Sequence, residues 1–181
     1  MPSGPKLRIA EALSDVLKAT PPKPTPKPVP PHSPLDRRTL IPSSFTLAIS
    51  NLKAAQLFYE LKILNIDKFP VAGALCLRSF VEAVVDIYCV GNKIELRHKT
   101  GQSVGKALSL GEKVESVLQH CSSSLTKQEN TAARTALTNQ NSVVSVGRLN
   151  EYVHNPAMFP AKNDLIAAWS GVEAFFRVVC K

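Results

Sequence analysis

The stretch FPVAGALCLRSFVEAVVDIYCV, residues 69–90, decides the fold class of this chain. Its apolar residues fall on every side of a helix with 3.6 residues per turn, and Arg78 and Glu82 are its conspicuous polar interruptions. A helix that is apolar all round is typical of the buried centre of a bundle. No segment has the sustained period-two alternation of a half-buried strand. The sequence therefore predicts an all-α domain around this helix.

Two amphipathic helices are predicted outside the central one. The first runs from about Ser50 to Asn65, and the last covers residues 164–180. In both, apolar residues recur at helical spacing and form a stripe that we expect to face the core. In the first helix these residues are Leu52, Leu57, Phe58, Leu61 and Leu64. In the last helix they are Leu165, Trp169, Val172, Phe176 and Val179. Trp169, Phe175 and Phe176 are expected in the core or at a subunit interface, rather than as a platform on which bases stack.

Two capping boxes mark helix starts between these elements: Ser109-x-x-Glu112 and Thr126-x-x-Glu129. In a capping box the hydroxyl accepts a backbone N–H three residues on, and the carboxylate reaches back to the cap residue. The boxes predict one helix at about 110–121 and another that begins near residue 127.

The helix that begins near residue 127 is expected to continue to about His154. Asn155-Pro156 ends it, because the residue before a proline avoids the α conformation. Its expected core contacts are Ala133, Leu137, Val144, Leu149 and Val153. The polar connector NKIELRHKTGQS, residues 92–103, contains Gly101 and is not expected to form a long helix.

The 181 residues fit one domain, or a smaller domain with a tail, and 44% hydrophobic against 20% charged residues excludes global disorder. Ten of the fourteen prolines fall in residues 1–34. The stretch PPKPTPKPVPPHSP, residues 21–34, predicts an extended linker after one short amphipathic helix at residues 6–19. We therefore divide the chain into a basic arm, residues 1–36, and a helical domain, residues 37–181. Such an arm is typical of a spacer to a further domain, or of a docking arm on a small protein.

The net charge of +8 is concentrated at the N-terminal end, where residues 1–42 hold seven lysines and arginines against three acidic residues. This balance favours phosphate-bearing partners, although a solubilising tail on a mildly basic domain explains it equally well. No apolar stretch is long enough to span a membrane, and the N-terminus lacks the apolar region of a secretory signal. We expect a soluble cytoplasmic protein without membrane contact.

The four cysteines occur singly in apolar helical stretches, without a C-x-x-C pair, at Cys76, Cys89, Cys121 and Cys180. Buried free thiols are therefore expected, rather than a zinc site or disulfides. Phosphate-binding glycine loops, serine nucleophile elbows and His-Glu-x-x-His motifs are absent from the sequence, and its carboxylates are scattered. Any catalysis is therefore expected to need no metal and no other cofactor.

One constellation in the sequence could carry chemistry: Arg148 and His154, followed by Asn155-Pro156. A guanidinium offers a planar fork of donors to phosphate oxygens, and an imidazole can act as general acid or base for a ribose 2′-hydroxyl. Six helical steps place the two side chains about 120° apart. They could therefore converge only if the helix ends near His154.

This motif and its surroundings resemble HEPN domains, in particular the version at the C-terminus of larger ParB-like nuclease-type proteins after a basic, proline-rich linker. The resemblance covers residues 37–181. Four segments match in order: RRTLIPSSFTLAI (37–49), LCLRSFVEAVVDIY (75–88), LNEYVHNPAMFPAKNDLIAAW (149–169) and the aromatic close of the last helix.

The resemblance implies a four- or five-helix bundle that forms a two-fold homodimer, with the Arg–His motifs facing a cleft between subunits. In active relatives this cleft cleaves RNA, often in toxin-antitoxin or phage-defence systems, with Arg148 and His154 at the catalytic positions here. The chain departs from the family pattern after the arginine, where a polar residue is usual and Leu149 stands, with Asn150 one place later. The alternative function is a non-catalytic module that dimerises or binds nucleic acid, with an antitoxin or an upstream DNA-acting domain as partner.

Five further residues are candidates for substrate binding or support of the site: Arg78, Glu82, Asn150, Tyr152 and Asn155. Arg78 and Glu82 are spaced i, i+4, so that they either form an ion pair within the helix or line the dimer cleft. Tyr152 either stacks on a base or packs near the helix end. His98 and His120 are expected to be solvated.

Overall fold

The computed structural model describes residues 34–100, 103–155 and 157–181. The predicted helix at residues 6–19 and the linker up to residue 33 lie outside this range. The described residues form mostly helix, as the all-α prediction requires. The elements in chain order are α1 (Leu52–Ile63), α2 (Pro70–Gly91), β1 (Arg97–Thr100), β2 (Ser103–Ala107), α3 (Leu110–His120), α4 (Lys127–Thr138), α5 (Val146–His154) and α6 (Lys162–Val179). Helices α1, α2 and α6 each begin and end within two residues of their predicted bounds.

Helix α2 is the centre of the domain and packs against α1, α3, α5 and α6. Its fully buried side chains include Leu77, Phe80 and Val85. Gly73 lets the preceding loop pack closely on the helix, since a Cβ atom there would lie only 2.8 Å from Cγ2 of Ile66. The burial is less complete than the sequence suggests, because Leu75 is 37% exposed.

An aromatic cluster fills the core between α1, α2 and α6. Trp169 stacks on Phe176 with ring centroids 5.2 Å apart, and Phe80 lies 5.1 Å from Phe176. Phe175 is also fully buried. Of the two places predicted for these aromatic residues, the core or a subunit interface, the structure shows the core.

Both predicted capping boxes are formed. The Ser109 hydroxyl accepts from the Glu112 backbone N–H, the Thr126 hydroxyl accepts from that of Glu129, and each carboxylate accepts from the N–H of its cap residue. Helices α3 and α4 consequently begin at the predicted residues. The hydrogen bonds from Thr126 lower the pKa of Glu129 because they stabilise its carboxylate.

The prediction of a single long helix from residue 127 to His154 is wrong, because this segment forms two helices. Helix α4 ends at Thr138, and α5 begins only at Val146. The Asn139 side chain accepts from the Asn141 backbone N–H, and the Ser145 hydroxyl accepts from the Arg148 backbone N–H. Such local side-chain bonds compete with continued helix, and here they end one helix and start the next.

A short antiparallel hairpin in the connector was also not predicted. Strands β1 and β2 pair with Arg97 opposite Ala107 and Thr100 opposite Ser103. The strands are too short and too polar to show an apolar alternation, so the pattern that identifies half-buried strands is missing from them.

On α1 and α5, one residue each that was predicted to face the core is instead exposed. Leu52, the first residue of α1, is 88% exposed, and Val153, near the end of α5, is 45% exposed. Both stand at helix ends, where the neighbouring helices no longer cover the apolar stripe. The core of α1 is instead made by Ala54, Phe58 and Leu61.

All four cysteines are free thiols, as predicted. Cys89, Cys121 and Cys180 are buried and Cys76 is half-buried. Burial raises the pKa of the Cys180 thiol to about 12, and burial together with the neighbouring Glu60 carboxylate does the same for Cys76. Within the described residues, no helix combines the length and the apolarity that a membrane crossing requires.

Candidate active site on helix α5

Two buried side chains fix helix α5 on the domain. Leu149 is fully buried, and Tyr152 is 7% exposed. Ser145, itself buried, caps the helix. Leu149, the apolar residue directly after Arg148, is therefore a core anchor. Tyr152 is packed rather than displayed, and its burial raises the pKa of its hydroxyl.

Arg148 lies in the first turn of α5 and is engaged within its own helix. Its Nη1 atom lies 2.7 Å from Oε2 of Glu151, and the two side chains are 27% and 53% exposed. The guanidinium therefore reaches the surface already paired with a carboxylate. Sequence reasoning overlooked Glu151, although its i, i+3 spacing from Arg148 was a usable signal.

His154 is the last residue of α5, so the helix ends where the sequence predicted. Its side chain is exposed, and no described residue hydrogen-bonds the imidazole. Asn155 caps the end, since its N–H donates to the Glu151 carbonyl and its Oδ1 accepts from the Ala157 N–H. Asn155 thus has a structural part in placing His154 at the surface.

Arg148 and His154 do not meet within one chain. No hydrogen bond or ion pair joins them in the described structure, and the arginine fork is bonded to Glu151. One helical turn and a half separates them along α5. A site that used both on one phosphate would have to be completed by the RNA itself or by a second copy of α5.

Exposed apolar side chains flank the end of α5. Val153 is 45% exposed and Phe159, in the loop that follows, is 72% exposed. If the two side chains form one contiguous patch, such a patch is typical of an interaction surface.

Asn150 and Arg78 lie apart from Arg148, in an open cleft of about 580 Å³. We call this the Arg78 cleft, and its polar or open lining includes Arg78, Gly111, Glu115, Gln140, Gly147 and Asn150. Arg78 and Glu82 form an ion pair with 3.3 Å between Nη1 and Oε2. The sequence offered no signal for the cleft, because its residues come from four helices and the segments between them.

His98 and His120, the two other histidines considered in the sequence, do not add to the candidate site. His120 is exposed and its Nδ1 atom lies 3.0 Å from the Tyr88 hydroxyl. His98 lies on β1, in a part of the hairpin whose side chains are not described. Nowhere in the described ranges do three or more histidine, cysteine or carboxylate side chains gather as a group that could hold a metal ion.

Comparisons with protein-family models, with curated proteins and with solved structures find no match to this chain.

Proposed function

We propose that residues 37–181 form a HEPN-like domain that pairs into a two-fold homodimer and cleaves RNA without a metal ion. The observation that carries the proposal is the exposed imidazole of His154, which has no hydrogen-bond partner among the described residues and is held at the end of a helix with Arg148 in its first turn. A general acid or base must reach its substrate from the surface, and His154 does.

In the proposed reaction the substrate supplies the nucleophile. His154 accepts the proton of a ribose 2′-hydroxyl as its oxygen bonds to phosphorus, the bond to the 5′-oxygen breaks, and the proton is returned to that leaving oxygen. Arg148 leaves Glu151 and donates to the non-bridging oxygens, where negative charge develops. The products are a 2′,3′-cyclic phosphate and a 5′-hydroxyl.

The dimer follows from the apolar surface at the end of α5. Val153 precedes His154 on α5, Phe159 follows in the next loop, and both are exposed, so a second copy of the same surface would cover them. A two-fold axis there brings two copies of α5 together, so that Arg148 and His154 of both chains border one groove.

A non-catalytic role is the second candidate, and a different observation favours it. Arg148 is already paired with Glu151, and the residue after it is a core anchor rather than a polar group. A domain of this kind would dimerise or bind nucleic acid, and its partner would be an antitoxin or an upstream DNA-acting domain.

Cleavage of a varied RNA pool by purified wild-type, Arg148→Ala and His154→Ala proteins distinguishes the two candidates. For the nuclease we expect His154→Ala to lose about 10²-fold in rate with little change in RNA affinity, whereas Arg148→Ala loses both. His120→Ala is the matched control, since His120 is an exposed histidine at the end of another helix. Wild-type protein that dimerises, binds RNA and leaves it uncut would establish the binding module instead.

A further inference from the structure

The Arg78 cleft has the size and the lining of a ligand site. Its volume of about 580 Å³ lies in the range of small-molecule sites in proteins. Three of its side chains, Arg78, Gln140 and Asn150, offer hydrogen-bond donors. Each comes from a different part of the fold, so that the donors converge on one space rather than follow one helix.

Two glycines keep the floor of this cleft open. Gly111 and Gly147 are each the second residue of their helix, α3 and α5. Neither adopts a left-handed conformation, and a Cβ atom at either would have no heavy atom within 4 Å. Packing and backbone geometry therefore do not require glycine here, although alanine is the better helix former. Glycine at both positions leaves the backbone without a side chain where it lines the cleft, so that a ligand can approach it closely.

The Arg78 guanidinium, which also lines the cleft, has donor atoms that are not engaged by the described residues. Its Nη1 atom binds Glu82, while its Nε atom is buried and has no partner among the described residues. A buried donor without a partner is unfavourable, and a small rotation of the guanidinium toward the cleft would give it a ligand as partner.

The carboxylates around the cleft are engaged elsewhere. Glu115 lines the cleft but forms an ion pair with Arg134, and Glu82 is paired with Arg78. Glu112, near the α3 start, accepts hydrogen bonds from Ser109. Their negative charge still lowers the affinity of the cleft for an anion, so Glu115→Gln should strengthen anion binding.

We infer that the Arg78 cleft binds a phosphate group of the RNA chain, contacted by Arg78, Asn150 and the backbone at Gly147. This inference rests on the proposed function, which makes RNA the substrate. Asn150 and His154 are i, i+4 on α5 and therefore lie on one face of that helix. A phosphate held beside Asn150 would position the RNA so that another phosphodiester reaches His154.

The test uses adenosine 5′-monophosphate, inorganic phosphate and adenosine as probes of the full chain, followed by amide chemical shifts. We expect the two phosphates to bind with shifts at Gly111, Gly147 and Asn150, and adenosine not to bind. Gly147→Ala places a methyl group in the cleft and should weaken adenosine 5′-monophosphate binding about tenfold. Gly91→Ala is the control, because Gly91 is also a helical glycine with nothing within 4 Å and lies outside the cleft.

Adenosine binding as tightly as its monophosphate would make the cleft a base pocket and overturn the inference. Shifts elsewhere, or equal binding by Gly147→Ala, would overturn it as well. Both variants should remain folded, since alanine favours helix, and melting curves check this. The proposed function fails separately: phosphate binding in the cleft without RNA cleavage refutes the nuclease and leaves the phosphate site standing.

Discussion

The Nη1 atom of Arg148 lies 2.7 Å from Oε2 of Glu151, three residues further along the same helix. The guanidinium that is expected to meet phosphate is thus held by a carboxylate in the RNA-free chain. Both side chains are partly exposed, so water screens the pair and its contribution to folding is small. In the proposed function, Glu151 would therefore compete with RNA for Arg148 more than it stabilises the domain.

Glu151→Gln should increase RNA affinity several-fold, because it removes the competing charge and frees the Arg148 donors. The free energy of unfolding should change by less than about 1 kcal/mol. Fluorescence anisotropy at fixed salt measures the affinity. Asp67→Asn is the control, since Asp67 forms a similar surface ion pair with Lys162. An equal gain from Asp67→Asn would mean that net charge alone is responsible.

The isolated protein should be a dimer at micromolar concentration that buries on the order of 1,600 Å² in total. Replacement of the 72% exposed Phe159 by serine, together with Val153→Ser, should shift it to monomer because the apolar interface is lost. Leu52→Ser, at an 88% exposed residue of α1, should leave the dimer intact. Light scattering that finds a wild-type monomer rejects this interface.

Phe176→Ala should destabilise the domain by about 3–5 kcal/mol, because it leaves a cavity beside Trp169 and Phe80. Leu52→Ala, at an 88% exposed residue of α1, should change stability by less than about 0.5 kcal/mol. Urea unfolding followed by fluorescence of the single tryptophan measures both. Similar losses in the two variants would show that the aromatic cluster is not the core.

The capping box at α4 should make stability depend on pH. The pKa of Glu129 is lowered in the folded chain, so its contribution is present above the ordinary glutamate pKa of about 4.3 and is lost as pH falls through the lower folded value. Glu129→Gln should therefore melt below wild type at neutral pH and approach it in acid. A difference that does not shrink with acidification contradicts this.

The sequence predicts best where a local interaction decides the structure. Ser109 and Thr126 each cap a helix through a carboxylate three residues on, and both helices begin as predicted. The same chemistry explains the largest error. Asn139 and Ser145 make equally local bonds that break the long helix, yet a polar stretch of this kind also occurs on exposed helix faces.

The candidate site was only partly predictable. The end of α5 at His154 follows from the proline two residues later, because that restriction is local. The pairing of Arg148 with Glu151 required attention to a neighbour on the same helix. The Arg78 cleft could not be predicted, since Gly147 and Arg78 are far apart in sequence and meet only through packing of α2, α3, α4 and α5.

The most direct test of the account is the chemistry of the RNA ends produced in EDTA by the confirmed dimer. We expect cleavage that leaves 2′,3′-cyclic phosphate and 5′-hydroxyl ends, slows about 10²-fold in His154→Ala and does not occur on DNA, which lacks the attacking hydroxyl. RNA left uncut, or cleavage that stops in EDTA and returns with magnesium, would contradict a metal-independent nuclease built on Arg148 and His154.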